Sequence, residues 1–420
     1  MSKSPSIARL ALLALAVLSL GACASIPYAT GETLPDIVQP ADGSPERVAL
    51  NAKVYDATVR YVGRLFYDPD FRGVPFREEA RARRPAAIAQ PTSEAFHGEL
   101  KQLLKLLGDG HTYTWTPLRR LQNAERIAGA PAIGHGFLTS WSKGGWVVDT
   151  VAPGSAASEA GVLLGWTVES IEGRPPLLAR PAALGRVDTI VFIDDAGQRQ
   201  SRDLEGVVTP LPAAFLARGL DGDIAYFRFN SFGQSQYESY MAEMEAFALD
   251  APAGLLIDLR TNTGGHTAIM GAMASQLYSD EQEVVITDGW RWIMEAQAKP
   301  YLGPVVMLTG PASASSAELF SGVAQENGRA VIVGQTSRGS VTGTAPIELP
   351  DGGILYVGSM ETTTPRGTRL EGVGVTPDII VAEDWKAIRE GRDPTLDAGI
   401  IALEALIAER RSITTSTPEA

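Results

Sequence analysis

Apolar residues recur at helical spacing twice in the first third of the chain. Val48, Ala52, Tyr55, Val59, Val62 and Phe66 step by three or four, and Ser44-Pro45 supplies a cap and a first helical residue. This spacing predicts a helix ended by Tyr67-Asp68-Pro69-Asp70. Phe96, Leu100, Leu103 and Leu107 predict a second, stopped by Gly108. His97 sits beside that stripe and reads as a partly exposed surface histidine. Residues 130–208 change to short β-rich runs between glycine turns, such as Gly145-Trp146-Val147-Val148 and Thr189-Ile190-Val191-Phe192-Ile193. Beyond residue 210 the runs Ile224–Phe229, Gly254–Leu259, Pro304–Leu308 and Ala330–Val333 read as strands, with helical sequence between them. That order predicts a parallel α/β core, whose sites form at the C-terminal ends of its strands.

Within 130–208 lies Val151-Ala152-Pro153-Gly154-Ser155-Ala156-Ala157-Ser158-Glu159-Ala160-Gly161-Val162, then Gly165 and Ile171-Glu172-Gly173. This closely resembles a PDZ domain. The resemblance places Gly134, His135, Gly136 and Phe137 at that family's carboxylate-binding loop and implies capture of extended peptides by strand addition. His135 and Gly136 depart from the usual loop.

Composition narrows the class. A hydrophobic fraction of 45% and a charged fraction of 20% suit globular protein. The formal net charge is −13 and Arg81-Ala82-Arg83-Arg84 is the densest basic stretch, which speaks against nucleic acid as a partner. A basic start at Lys3 and Arg9, the apolar run Leu10–Leu20, and Gly21-Ala22 have the layout of a secretory signal. Leu20-Gly21-Ala22-Cys23 resembles a bacterial lipobox, implying cleavage after residue 22 and lipidation of Cys23. The alternative is a plain signal peptide with an incidental cysteine. Cleavage would remove Lys3 and Arg9 but no acid, so charge would not draw the chain to anionic lipid and the acyl chains would have to anchor it. The expected location is the bacterial cell envelope, facing the periplasm, with the outer membrane favoured. Pro27, Pro35, Pro40 and Pro45 make the following stretch an extended tether.

Three loops could carry chemistry. Ser313-Ala314-Ser315-Ser316-Ala317-Glu318 lies between a strand and a helix, where N–H groups and the helix dipole favour developing negative charge. On spacing alone Ser315-Ser316-Ala317-Glu318 is a capping box. Arg260-Thr261-Asn262-Thr263-Gly264-Gly265 could turn N–H groups toward an oxyanion, or be a simple turn. Gly108-Asp109-Gly110-His111-Thr112 could supply a base for a serine, or be an Asp-Gly turn with a surface histidine. The four histidines are scattered and the single cysteine allows no thiolate cluster, so no metal or other cofactor is expected.

Together with Glu371-Gly372-Val373-Gly374-Val375-Thr376-Pro377-Asp378, these loops resemble the serine peptidases that include carboxy-terminal processing and tricorn proteases. The resemblance implies an α/β, crotonase-like catalytic core with an N-terminal helical region and an inserted PDZ-like domain. The expected division is 1–22 signal, 23–45 tether, 46–128 helical region, 130–208 PDZ-like domain, 210–405 catalytic core and 406–420 tail. Processing proteases pair their serine with a lysine, but Ser340 stands at that place in Gly334-Gln335-Thr336-Ser337-Arg338-Gly339-Ser340, and no lysine lies between Ser315 and Lys386. Arg338 cannot serve as base because arginine stays protonated. The tricorn-like pairing with histidine fits. It implies Ser315 as nucleophile, His111 as base, Gly265 and Ser316 N–H groups as oxyanion hole, and Glu371 as supporting carboxylate, with Asp378 the alternative. The substrate would be a protein or peptide. The rival readings are an inert peptide- or ligand-binding protein on the same scaffold, or a crotonase-like enzyme acting on acyl thioesters.

Overall fold

A computed structural model describes residues 38–416, apart from 128–129, 143–144, 177–178 and 288–289. Cys23, the signal 1–22 and most of the tether lie outside the described residues. The central sheet has the strand order Ile379–Ile380, Val331–Gly334, Val305–Thr309, Gly254–Asp258, Ile224–Phe229, Phe215–Leu220. The first five run parallel and the last is antiparallel. Strand periodicity divides the side chains between two layers. Phe227, Phe229, Leu255, Ile257, Met307 and Ile332 face a core shared with Tyr240, Met270, Met273 and Phe320, carried by the helices Gln234–Phe247, Thr267–Ser275 and Ser316–Glu326. Tyr226, Leu256, Val306, Leu308 and Val333 face Leu403 and Ile407 of the helix Pro394–Ser416. Burial on both faces is why these strands read as unbroken apolar runs. The last helix continues past residue 406, where the sequence reading began a tail, because Ile407 is buried in this second layer.

The helices Pro45–Leu65, Phe76–Ile88 and Ser93–Lys105 pack on a three-stranded antiparallel sheet of Tyr113–Trp115, Ile354–Met360 and Gly343–Glu348. The Arg47 N–H donates to Ser44 Oγ at 3.1 Å, so Ser44 caps the first helix. Its buried face differs from the expected one: Val48 is exposed while Val54 and Ala57 are buried, since the helix is covered from more than one side. The helix Phe76–Ile88 escaped the sequence reading because arginines and Pro85 mask Phe76, Ala80 and Ala87. His97 is not a surface residue. It is fully buried, with Nε2 2.8 Å from Asp351 Oδ2 and Nδ1 3.1 Å from Thr114 Oγ1.

Residues 137–205 form a five-stranded antiparallel sheet with its own core of Val148, Trp166, Ile190 and Phe192. Ile133–Gly134 pairs with Val207–Val208, bringing the ends of this segment together. It meets the rest of the chain where Ser142 Oγ donates to Glu383 (3.2 Å), where Arg389 pairs with Asp195, and where Trp141 lies under the Arg338 guanidinium at 5.6 Å. Among the described residues no helix is long and apolar enough to cross a membrane.

Candidate active site

Three neighbouring parallel strands end side by side, and the loops that follow Asp258, Thr309 and Gly334 meet there. The Asp258 end is fixed electrostatically. Its buried carboxylate accepts from Arg260 Nη2 (2.7 Å), the Arg260 N–H (3.0 Å) and the Tyr226 hydroxyl (2.8 Å). Burial would raise its pKa, but Arg260 and these bonds hold it below the usual carboxylate value. Arg260 also forks onto Asp393. Asn262, fully buried, ties the first two loops together: its Oδ1 accepts from the Gly264 N–H (2.8 Å) and its carbonyl from the Ala314 N–H (3.0 Å).

Ser315 opens the helix Ser316–Glu326 with φ +58° and ψ −124°, outside the extended range usual for a helix cap. A non-glycine residue there is strained and must be held by its surroundings. The Ser315 N–H donates to the Ser340 carbonyl (2.7 Å) and to Glu318 Oε2 (3.1 Å). Glu318 is fully buried and also accepts from the Ser340 N–H (2.7 Å), the Gly339 N–H (2.6 Å) and the Ser337 hydroxyl (2.5 Å). Burial pushes its pKa up against the effect of these donors. The expected capping interaction, Glu318 reaching back to Ser315, is therefore present, as part of a larger clamp on the 337–340 loop. Ser315 is half-buried while Ala312, Ser313, Ala314 and Ser316 are buried. Ser313 and Ser316 donate their hydroxyls to the Leu259 and Gly265 carbonyls.

Gly264 runs directly past the serine. A Cβ there would lie 2.5 Å from Ser315 Cβ, so any side chain would collide. Among the described residues no acceptor is assigned to the N–H of Gly265 or of Ser316. His111 arrives from outside the central sheet, on the turn before Tyr113–Trp115. Asp109 shapes that turn, accepting the His111 N–H at 2.8 Å and the Thr112 hydroxyl. His111 Nδ1 lies 3.1 Å from Ser340 Oγ. A Cβ at Gly110 would fall on Ser340 Oγ and lie 3.0 Å from Ser340 Cβ, so a larger residue there would push the Ser340 hydroxyl off its present position by the imidazole. Among the described residues there is no direct hydrogen bond between Ser315 and His111; Ser340 stands between them, its carbonyl on the Ser315 N–H and its hydroxyl on the imidazole.

Asp109, His111 and Glu371 each present a ligand-type atom within 4.8 Å of the others. Glu371 Oε2 accepts the Val341 (2.8 Å) and Thr342 (3.0 Å) N–H groups. The set has the chemistry of a divalent-cation donor group, but both Asp109 oxygens and one Glu371 oxygen already hold protein donors. Burial lowers the His111 pKa from its ordinary value; Asp109 and Glu371 pull it up and Arg338 adds to the lowering. Asp109 is shifted up by burial, with Glu371 contributing. Asp378 lies elsewhere, accepting from the Ile332 N–H (2.8 Å) and from Gln325 (2.9 Å).

Among the described residues none of the four residues of the expected carboxylate loop shares a hydrogen bond with Ser315. His135 is buried on Asp188 (2.9 Å), and Phe137 packs edge-on against Phe192. The Gly136 N–H is taken by Thr209 Oγ1 (3.1 Å), which leaves that donor unavailable to a peptide carboxylate. Sequence reasoning missed Ser340, Asn262 and Asp109 as site-building residues. Ser340 had a signal, its place in the lysine position; Asn262 and Asp109 act through contacts that local pattern does not announce.

Residues 223–381 match Peptidase family S41. The chain is 27% identical over 261 residues to the carboxy-terminal-processing protease of Bartonella bacilliformis, covering 57% of this chain and 59% of that protein. It is 27% identical over 345 residues to the chloroplastic carboxyl-terminal-processing peptidase 3 of Arabidopsis thaliana, covering 75% of this chain and 66% of that one. It is 26% identical over 396 residues to a tricorn protease homolog 2 of Streptomyces coelicolor, covering 84% of this chain and 32% of the homolog. The chain thus spans under two thirds of the length of these curated relatives. Its fold is shared with the photosystem II D1 C-terminal processing protease (TM-score 0.57, 20% identity, 79% and 92% of the two chains) and with mature CPAF complexed with lactacystin (TM-score 0.61, 12% identity, 87% and 100%). The class is a mixed α/β fold with S41 peptidase neighbours. The match to family S41 is confined to residues 223–381, and the relatives include both carboxy-terminal processing and tricorn proteins.

Proposed function

We propose that the protein is a serine endopeptidase acting on proteins or peptides through Ser315, with His111 rather than a lysine as its base. Ser315 Oγ attacks the substrate carbonyl carbon and its proton passes to His111. The charge on the carbonyl oxygen is met by the Gly265 and Ser316 N–H groups, one such donor being worth about 2.7–4 kcal/mol. The tetrahedral adduct collapses as the protonated His111 gives its proton to the leaving amine. Water then hydrolyses the acyl-enzyme by the same steps in reverse. Ser340 holds Nδ1 of His111, leaving Nε2 for the serine proton. Glu371 stabilises the imidazolium, aided by Asp109.

The observation that carries this reading is Ser315 itself: a strained, half-exposed serine in an otherwise buried loop, at a helix N-terminus, with Gly264 against it. The test is labelling by a serine-directed fluorophosphonate together with turnover of a quenched peptide. Ser315→Ala should lose both while unfolding at nearly the wild-type denaturant midpoint. Labelling that survives in Ser315→Ala would place the nucleophile elsewhere, and no labelling of the wild type would favour the inert binding scaffold.

The sheet of residues 137–205 is read as a PDZ-like, substrate-presenting module in a crotonase-like scaffold. The sequence before the described residues supports anchoring by lipidated Cys23 on the periplasmic side of a bacterial envelope. Metabolic labelling with a clickable fatty acid, compared with Cys23→Ser, tests the anchor.

A further inference from the structure

Arg338 is an exposed arginine held in place beside the candidate nucleophile. Its backbone is fixed from both sides: Ser337 Oγ and the Gly339 N–H bind Glu318, and the Arg338 N–H donates to the Ser313 carbonyl at 2.9 Å. Its guanidinium lies 5.6 Å from the centre of the Trp141 ring. Trp141 is itself braced edge-on by Trp146 at 5.6 Å. Yet among the described residues the Arg338 guanidinium has no ion pair or hydrogen bond. In a chain with 49 acidic and 36 basic residues that is conspicuous, since Arg186, Arg260 and Arg389 each hold a carboxylate. The nearest buried acid, Glu318, already has four donors and faces the loop backbone. Arg338 also lies within electrostatic reach of His111 and Tyr113. The Arg338 backbone thus adjoins the loop that carries Ser315, and its guanidinium, resting on Trp141, keeps a planar two-pronged donor edge that no carboxylate of the described residues occupies.

We propose that Arg338 is a specificity-determining residue that binds a carboxylate of the substrate beside the scissile bond. Trp141 keeps the guanidinium extended toward the bound chain, and the carboxylate completes a charge-assisted pair that the protein leaves open. The carboxylate could be an acidic side chain or the terminal carboxylate of a short segment beyond the cut. This inference rests on the proposed Ser315 chemistry for its setting.

Two readouts on the full chain separate Arg338 from that chemistry. Quenched peptides of one core sequence carry Asp, Asn or Lys in turn at each position flanking the cut, and a second set compares a free C-terminal acid with its amide. Turnover is measured for the wild type, Arg338→Gln and Arg338→Glu. Binding of the same labelled peptides to Ser315→Ala, with and without Arg338→Gln, is followed by fluorescence anisotropy. At one position Asp should exceed Asn by about tenfold in kcat/KM and in affinity, the scale of a hydrogen bond to a charged group. Arg338→Gln should erase the difference and Arg338→Glu should shift preference to Lys. A difference confined to acid against amide would assign the terminal carboxylate; one found with internal Asp would assign the side chain. Turnover or binding without any charge preference, or a preference unchanged in Arg338→Gln, overturns the proposal. Charge-dependent binding with no turnover would instead overturn the peptidase reading and leave Arg338 as the carboxylate site.

Discussion

Glu318→Gln is the sharpest probe of how the site is held. The carboxylate takes two donors on each oxygen: Ser337 Oγ and the Gly339 N–H on Oε1, and the Ser315 and Ser340 N–H groups on Oε2. A glutamine keeps the length but turns one acceptor into a donor. Its best orientation places the NH2 at the Oε1 site, where the Ser337 hydroxyl can rotate to accept and only the Gly339 N–H is stranded. That costs about 1–3 kcal/mol, partly offset because a charge is no longer buried. Glu318→Ala strands the Gly339 and Ser340 N–H groups and the Ser337 hydroxyl, while the Ser315 N–H keeps the Ser340 carbonyl; three donors left unmet cost about 3–9 kcal/mol before any cavity cost, comparable with the whole stability of a domain. Urea unfolding should therefore show a modest midpoint shift for Gln and a folded fraction too small to purify normally for Ala. Peptide turnover by Glu318→Gln should fall by about ten- to a hundredfold, because the freed 339–340 segment carries the hydroxyl that positions His111 and the carbonyl that holds Ser315. Wild-type turnover in a stable Glu318→Ala chain would refute the idea that this carboxylate clamps the nucleophile.

His111→Ala should lower kcat/KM by several orders of magnitude, and the acid limb of the wild-type pH–rate profile should lie below the ordinary histidine value of ~6.5, because burial disfavours the protonated form that cannot act as base. A limb at or above ~6.5 would contradict the burial argument. Glu371→Gln can keep its acceptor for Val341 and Thr342 while losing charge, so turnover should drop less than in His111→Ala; Asp378→Asn should leave turnover per folded molecule unchanged, and equal losses would reopen the choice between them. Arg260→Leu should destabilise the chain by about 3–5 kcal/mol by leaving Asp258 unpaired, read as a urea-midpoint shift; Asp258 is held low in the fold, so the Arg260-dependent stability should be present above pH ~4 and fade as the pH falls further.

The strands were legible because both faces of the central sheet are buried, so Gly254–Leu259 and Pro304–Leu308 needed no help from neighbours to be read. The stripe Phe96-Leu100-Leu103-Leu107 was equally plain, and all four residues are buried. His97 was not: a histidine one step from an apolar stripe gives no hint that Asp351 waits more than 250 residues away. The same limit applies to the site. Ser-x-x-Glu announced that Glu318 would reach the helix start, but nothing local disclosed the three donors from 337–340 or the positive φ they support at Ser315. The 133–137 loop matched a peptide-binding pattern in outline, while the Thr209 hydroxyl that occupies the Gly136 N–H comes from the far end of the segment.

The division of labour in the site follows from the topology. The proposed nucleophile and oxyanion donors and the Glu318 clamp all grow from adjacent strand ends of one parallel sheet, so their mutual positions are set by the register of Asp258, Leu308 and Val333. The proposed base does not share that frame. His111 is carried by the Tyr113–Trp115 strand, whose register on Ile354–Tyr356 and whose Thr112 hydroxyl on the Gly358 N–H (2.9 Å) belong to the sheet backed by the N-terminal helices. Ser340 and Glu371 bridge the two frames, one by its hydroxyl on Nδ1 and the other by its bonds to Val341 and Thr342. A serine at position 340 is short enough to leave room for an imidazole brought in from the second frame; a lysine there would fill the same space from the first. The identity of residue 340 and the presence of His111 are thus one structural choice, and Gly110 is the third part of it, since a side chain there would displace the Ser340 hydroxyl that meets the imidazole.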